Sequence, residues 1–170
     1  MEDSKAVRAL IKTKLNLKPK DVSVRGSHAG YSVAVRVNIK SLLGLKKLAE
    51  IKDICRDFTK YDVCEVSGEI LQGGNTYVNA DVDYNFSRSI KDKLSAKFDV
   101  LSADLDMTEA VVTMFDDIEI SFSDNLDRYI FVMKDSNDYI SDYHLNNVGD
   151  NLFNLMSMTK RFDLLDNLED

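Results

Sequence analysis

The sequence predicts an α+β fold in which antiparallel β-hairpins pack against helices, arranged as two helix–hairpin–helix lobes. Three observations lead there. Residues 21–40, DVSVRGSHAGYSVAVRVNIK, alternate apolar and polar side chains as a half-buried hairpin does. The flanking segments 3–16 and 42–60 repeat apolar residues at intervals of three and four, the spacing of one helix face. A second alternating stretch, DIEISFSDNLDRYIFVMKDS at 117–136, precedes another helical pattern at 147–160. The expected lobes are residues 1–98, basic to neutral, and 99–170, acidic.

Taken in order, DSKAVRALIKTKLN at 3–16 places Val7, Leu10, Ile11 and Leu15 on one stripe, with Asp3 or Ser4 as the cap and Pro19 beyond the end. In the hairpin, Val22 and Val24, then Val33, Val35, Val37 and Ile39, point inward, and GSHAG makes a loop of about four or five residues. Ser41 caps a helix over 42–60 whose buried stripe runs through Leu45, Leu48, Ile51 or Lys52, Cys55 and Phe58. A weak strand at 63–71 turns at Gly73-Gly74 into the alternating strand 76–84, with Val78, Ala80, Val82 and Tyr84 inward; Gly-Gly accepts positive φ without steric cost. A helical piece over 108–115 uses Ala110, Val111 and Met114. The closing helix presents Val148, Leu152, Leu155 and Met156, and FDLLDNLED extends it.

At 170 residues, 44% hydrophobic and 30% charged, the chain suits one domain or two small lobes, and its apolar content excludes a disordered tail. No apolar run approaches a membrane span, and MEDSKAVRAL lacks a signal core, so a cytoplasmic location is expected. Cys55 and Cys64 form neither a zinc pattern nor a disulfide framework, and Cys55 reads as core packing.

Gly68 and Gly73 have the spacing of a phosphate loop, but Gly74 and Asn75 stand where Lys and Ser/Thr are required, and a strand follows instead of a helix. The carboxylate-rich DLDMTE and DSNDY lack the glycine and glutamate of calcium loops. His28 and His144 have no histidine near them in sequence. The expectation is therefore a non-enzyme without catalytic residues, cofactor or metal.

Charge is the stronger signal. Residues 1–60 hold 14 Lys+Arg against 6 Asp+Glu, a net of +8, and residues 61–170 hold 8 against 23, a net of −15. Lys12, Lys18, Lys20, Arg25, Arg36, Lys40, Lys46 and Lys47 are candidates for contacting nucleic-acid phosphates or an acidic partner. Asp104, Asp106, Asp116, Asp117, Asp124 and Asp127 are candidates for a basic protein groove. Arg25, Arg36, Asp81 and Asp83 all project from the outward face, where adjacent strands would let them pair and neutralise part of the basic patch. No RNP-like aromatic run is present.

Two stretches carry a family resemblance. VRALIKTKL followed by SVRGSHAGYSVAVRV at 23–37 resembles the start of a large polyvalent protein-associated domain, and CEVSGEILQGGNTYVNADVDYNF at 64–86 resembles its closing hairpin. The likeness covers residues 5–88. The sequence departs from the pattern after the second strand, where NIKSLLG replaces a Trp-Asp-Gly-Pro turn. The resemblance implies a phage or mobile-element setting, in which small standalone proteins, anti-CRISPR proteins among them, neutralise host defence. It implies a non-enzymatic inhibitor that binds a host nucleic-acid-guided nuclease. Two other readings stand beside it: a DNA- or RNA-binding accessory protein using the basic half, and a structural module that forms a homodimer through its C-terminal amphipathic helix.

Overall fold

Alternation of β-branched residues builds the first sheet. Strand β1 (Val22–Ala29) pairs antiparallel with β2 (Ser32–Ile39), from Val22 opposite Ile39 to Ala29 opposite Ser32. The hairpin is tighter than the sequence suggests. Gly26, Ser27 and His28 are strand residues, and the chain reverses at Gly30-Tyr31, with Gly30 at φ +61. Gly26 serves packing instead of turning: a Cβ there would lie 3.0 Å from Ser4 of helix α1 (Glu2–Leu15).

The structure, a computed structural model, describes residues 2–71, 73–142 and 144–168 and forms two compact units, Met1–Asp83 and Tyr84–Asp170. The last two residues of the expected helical tail and Gln72 of the glycine loop lie outside the described residues.

In the first unit, α1 buries Ser4, Val7, Ile11 and Leu15. The expected helix 42–60 is two: α2 (Leu42–Lys46), capped by Ser41 Oγ accepting from the Gly44 N–H, and α3 (Leu48–Phe58), which buries Leu48, Ile51, Ile54 and Cys55. These helices carry the chain from β2 to β3 (Thr76–Val82), which pairs with β2 in parallel. That corrects the expected closing hairpin. A parallel neighbour needs a crossover connection, which α2 and α3 supply. Residues 62–71 fold back on themselves instead, with Cys64 N–H donating to Glu69 O at 2.9 Å and Gly68 at φ +72 in the turn. Gly73 and Gly74, at φ +118 and +72, lead into β3. Tyr84, expected inside, is 71% exposed. One face of the β1–β2–β3 sheet contributes Val22, Val24, Val35, Val37, Ile39 and Val78 to the core with α1 and α3.

The second unit opens with α4 (Tyr84–Ser102), a helix the sequence reading leaves unassigned. Its stripe of Ile90, Leu94 and Phe98 is buried within this unit, so the expected boundary at residue 98 falls inside a helix; the division lies at 83/84. The expected helix 108–115 is also corrected. Val112–Met114 is strand β4, in keeping with the β-branched run Val111-Val112-Thr113, and Val111 is exposed. The predicted hairpin 117–136 forms β5 (Ile118–Ser123) and β6 (Arg128–Met133). With β4 and β7 (Tyr139–Asp142) they make an antiparallel four-stranded sheet in chain order. Helix α5 (Val148–Thr159) packs on α4 and on β6, joining Leu152, Leu155 and Met156 to Met114, Ile118, Ile120, Phe131 and Met133 in the core. No helix among the described residues is long and apolar enough to cross a membrane.

Candidate nucleic-acid interface

Strand alternation that sends the valines of β1 and β2 into the core sends Arg25 and Arg36 to the opposite face of the sheet. Register then sets them against each other: Arg25 lies directly across from Arg36, and the next residue in that row, on β3, is Asn79. Both arginines are exposed. Neither has an ion-pair partner among the described residues. The cross-ladder neutralisation expected from Asp81 is not made among the described residues: Asp81 stands opposite Asn38, in the row next to Arg36. Asp83 follows the end of β3, its N–H donating to Ile39 O at 2.8 Å. Like charges directly opposed across a strand pair destabilise it, so the row costs the free sheet a few tenths of a kcal/mol, ~0.5 by the usual scale of cross-strand pairs.

Above this row is a concavity of about 380 Å³, lined by Arg25, Ser27, Arg36, Asn38, Tyr77 and Asn79, with no carboxylate among the described residues of its wall. Arg25 also borders a second groove of about 530 Å³ between α1 and the outer edge of β1. There the floor is apolar, from Ile11, Leu17 and Val22, and Lys12 and Lys18 stand on the rim. Arg8 belongs to the scaffold instead: its guanidinium donates to Val24 O at 2.6 Å and ties α1 to β1.

The predicted basic residues therefore divide. Lys12, Lys18 and Arg25 share one groove, and Arg25 and Arg36 share the sheet face. Lys20 sits beside Asp21 in the turn before β1, where its charge helps hold the carboxylate ionised. Lys40 follows β2, with its N–H on Asp21 O at 2.8 Å. Lys46 ends α2, and Lys47 pairs with Glu50 at 3.6 Å.

Asp21 holds the hairpin ends together. It is only 4% exposed. Its carboxylate accepts from Lys18 N–H at 3.0 Å and from the Ser41 hydroxyl at 2.9 Å. The Lys18 N–H, more than the Ser41 hydroxyl and the charges of Lys20 and Lys18, keeps this carboxyl below its ordinary range despite burial.

The acidic candidates occupy turns. Asp116 and Asp127 adopt φ +61 and +51, a conformation that Asp tolerates better than most residues. Asp106 accepts from the Thr108 hydroxyl and N–H, which hold it below the usual carboxylate range. Asp117 is bound by Arg161 at 2.9 Å, and the same guanidinium holds Asp135 and Asp163. Asp104 is exposed after α4 and Asp124 is exposed after β5.

Sequence reasoning singles out neither Tyr61, which lines a neighbouring concavity with Asn79 and Asp81, nor Tyr77, in the wall of the concavity over Arg25 and Arg36. They lie on different segments, 52% and 38% exposed, and meet edge to face with ring centroids 5.8 Å apart. The pairing of Lys60 with Thr76 brings the segments together, and Asp62 N–H donating to Asn75 Oδ1 at 2.7 Å and Val78 N–H donating to the Thr59 hydroxyl at 3.3 Å hold them there. The two cysteines separate clearly. Burial, then Asp81, pushes the Cys55 thiol up to about 11. Cys64 is lowered to about 7 by the Ser67 hydroxyl and the N–H groups of Ser67 and Val66.

Comparison with family models, curated proteins and solved structures returns no match.

Proposed function

We propose that the chain is a non-enzymatic accessory protein of a phage or mobile element whose N-terminal unit holds the phosphate backbone of DNA or RNA. The observation that carries this reading is the opposed, unneutralised pair Arg25 and Arg36 at a concavity with no carboxylate among the described residues of its wall. Two arginines opposed across the strand pair cost the free protein stability, and a phosphate between them turns that repulsion into charge-assisted hydrogen bonding. Fluorescence anisotropy with labelled oligonucleotides tests it. Binding should weaken steeply with salt, and Arg25→Glu with Arg36→Glu should abolish it. Affinity that ignores both changes defeats the reading.

A second reading, inhibition of a host nucleic-acid-guided nuclease of the kind anti-CRISPR proteins block, is favoured by the sorting of charge between the units. Residues 1–83 hold 14 Lys+Arg against 11 Asp+Glu, net +3, and residues 84–170 hold 8 against 18, net −10. An acidic unit of this kind suits a basic nucleic-acid channel. Cleavage by purified effectors should then fall on adding the protein and recover when Asp104, Asp106, Asp116, Asp124 and Asp127 are changed to Asn. Uninhibited cleavage and no complex would reject it.

A further inference from the structure

We infer that the open sheet face takes single-stranded nucleic acid, with bases stacking on the Tyr77 and Tyr61 rings while Arg36 and Arg25 hold the phosphates. This rests on the phosphate-binding reading above and narrows it to one class of ligand. Tyr77 stands in the row Ser27–Ala34–Tyr77, next to the row Arg25–Arg36–Asn79. Two residues along a strand advance about 7 Å, so ring and guanidinium lie within the span of one nucleotide. The Tyr61–Tyr77 pair meets edge to face at 68°, and both rings keep large exposed areas. An exposed ring surface beside unpaired arginines is what a splayed base needs: its π-face covers the ring, and its phosphate meets the charge. Asn38 and Asn79 line the same concavity and bring amide donors and acceptors to base edges.

A duplex could use only half of this. Its base faces are already stacked on one another, so the tyrosines would contribute nothing and the arginines would meet phosphate alone. The lining over Arg25 and Arg36 matches a polyanion, and the nearby carboxylate of Asp81 lines the neighbouring concavity with Tyr61; an acidic protein segment would meet the arginines but leave the rings without partners of their own kind.

The test compares three fluorescein-labelled probes of equal length: oligodeoxythymidine, an abasic oligomer with the same backbone, and a duplex. The thymidine strand should bind the full-length protein at least about 10-fold tighter than either of the others. Tyr77→Ala should lower thymidine affinity about 5- to 150-fold, the range of one base–aromatic stack. It should leave the salt slope and abasic binding unchanged, and Tyr77→Phe should retain binding. If abasic and thymidine strands bind the wild-type protein equally, the stacking inference falls while phosphate binding stands. If the duplex binds as tightly as the single strand and Tyr77→Ala is neutral, it falls as well. If no probe binds, the phosphate reading itself has failed and this inference goes with it. The wild-type comparison needs no variant, so a misfolded Tyr77→Ala would not protect the proposal.

Discussion

Asp21→Ala should cost the N-terminal unit about 3 kcal/mol. The carboxylate is nearly inaccessible and accepts two hydrogen bonds, from Lys18 N–H at 3.0 Å and the Ser41 hydroxyl at 2.9 Å. A hydrogen bond to a charged group contributes ~1.5–3 kcal/mol net, and because the two share one carboxylate they do not add in full. Ser41 in turn caps α2 through Gly44 N–H at 3.2 Å, so the loss reaches the crossover helices. Asp21→Asn, which keeps one acceptor, should cost about half as much. The pH dependence has a definite sign. The folded pKa lies below the unfolded value. Its contribution is therefore complete above the ordinary carboxylate pKa, about 4, and is lost as pH falls through the lower folded value. Urea denaturation at pH 7 and at about pH 3, with hydrogen exchange over residues 22–39 reporting on the hairpin, measures both effects. The gap between wild type and Asp21→Asn should narrow in acid. A cost below about 0.5 kcal/mol at pH 7, or a gap that does not change with pH, would refute the clasp as the element that fixes the hairpin ends.

Two further outcomes follow from local geometry. Alkylation of Cys64 should rise with an inflection near pH 7 and shift to higher pH in Ser67→Ala, while Cys55 stays unreactive in the folded protein; equal rates at the two thiols would contradict the assignment. Gly149→Ala should destabilise the C-terminal unit by about 2–3 kcal/mol, since its Cβ would fall 2.1 Å from Lys91 O and 2.7 Å from Ser95 Oγ; a thermal melt that does not move would mean that α4 and α5 are not so closely packed.

Much of the first sheet is legible in the sequence, because one face of β1 and β2 is core and the other solvent, so period two survives in Val33, Val35, Val37 and Ile39. The partner of β3 is not. Nothing in its alternation distinguishes an antiparallel hairpin at Gly73-Gly74 from a parallel pairing with β2 reached through α2 and α3. That choice sets the site: a hairpin with 63–71 gives no reason to place Tyr77 and Asn79 beside Arg36, and the parallel register puts them there. Arg25 and Arg36 are visible as outward residues, yet whether they meet each other or a carboxylate depends on register, which the turn controls. Reading GSHAG as the loop displaces the reversal from Gly30-Tyr31 and hides the opposition. Helix α4 escapes notice because its buried stripe is only Ile90, Leu94 and Phe98 amid lysines and serines. Asp116 and Asp127 look like a binding surface in the sequence, while their positive φ gives them a backbone reason to be there.

The most direct test of the central claim is the salt dependence of affinity for a single-stranded oligonucleotide, compared between the wild-type protein and the variant carrying Arg25→Gln and Arg36→Gln. Each phosphate contact to a single strand contributes about 0.7 to the slope of log affinity against log salt. The account predicts a slope shallower by about 1.4 in the double variant, with weaker binding at every salt concentration. An unchanged slope would show that these two arginines do not hold phosphate.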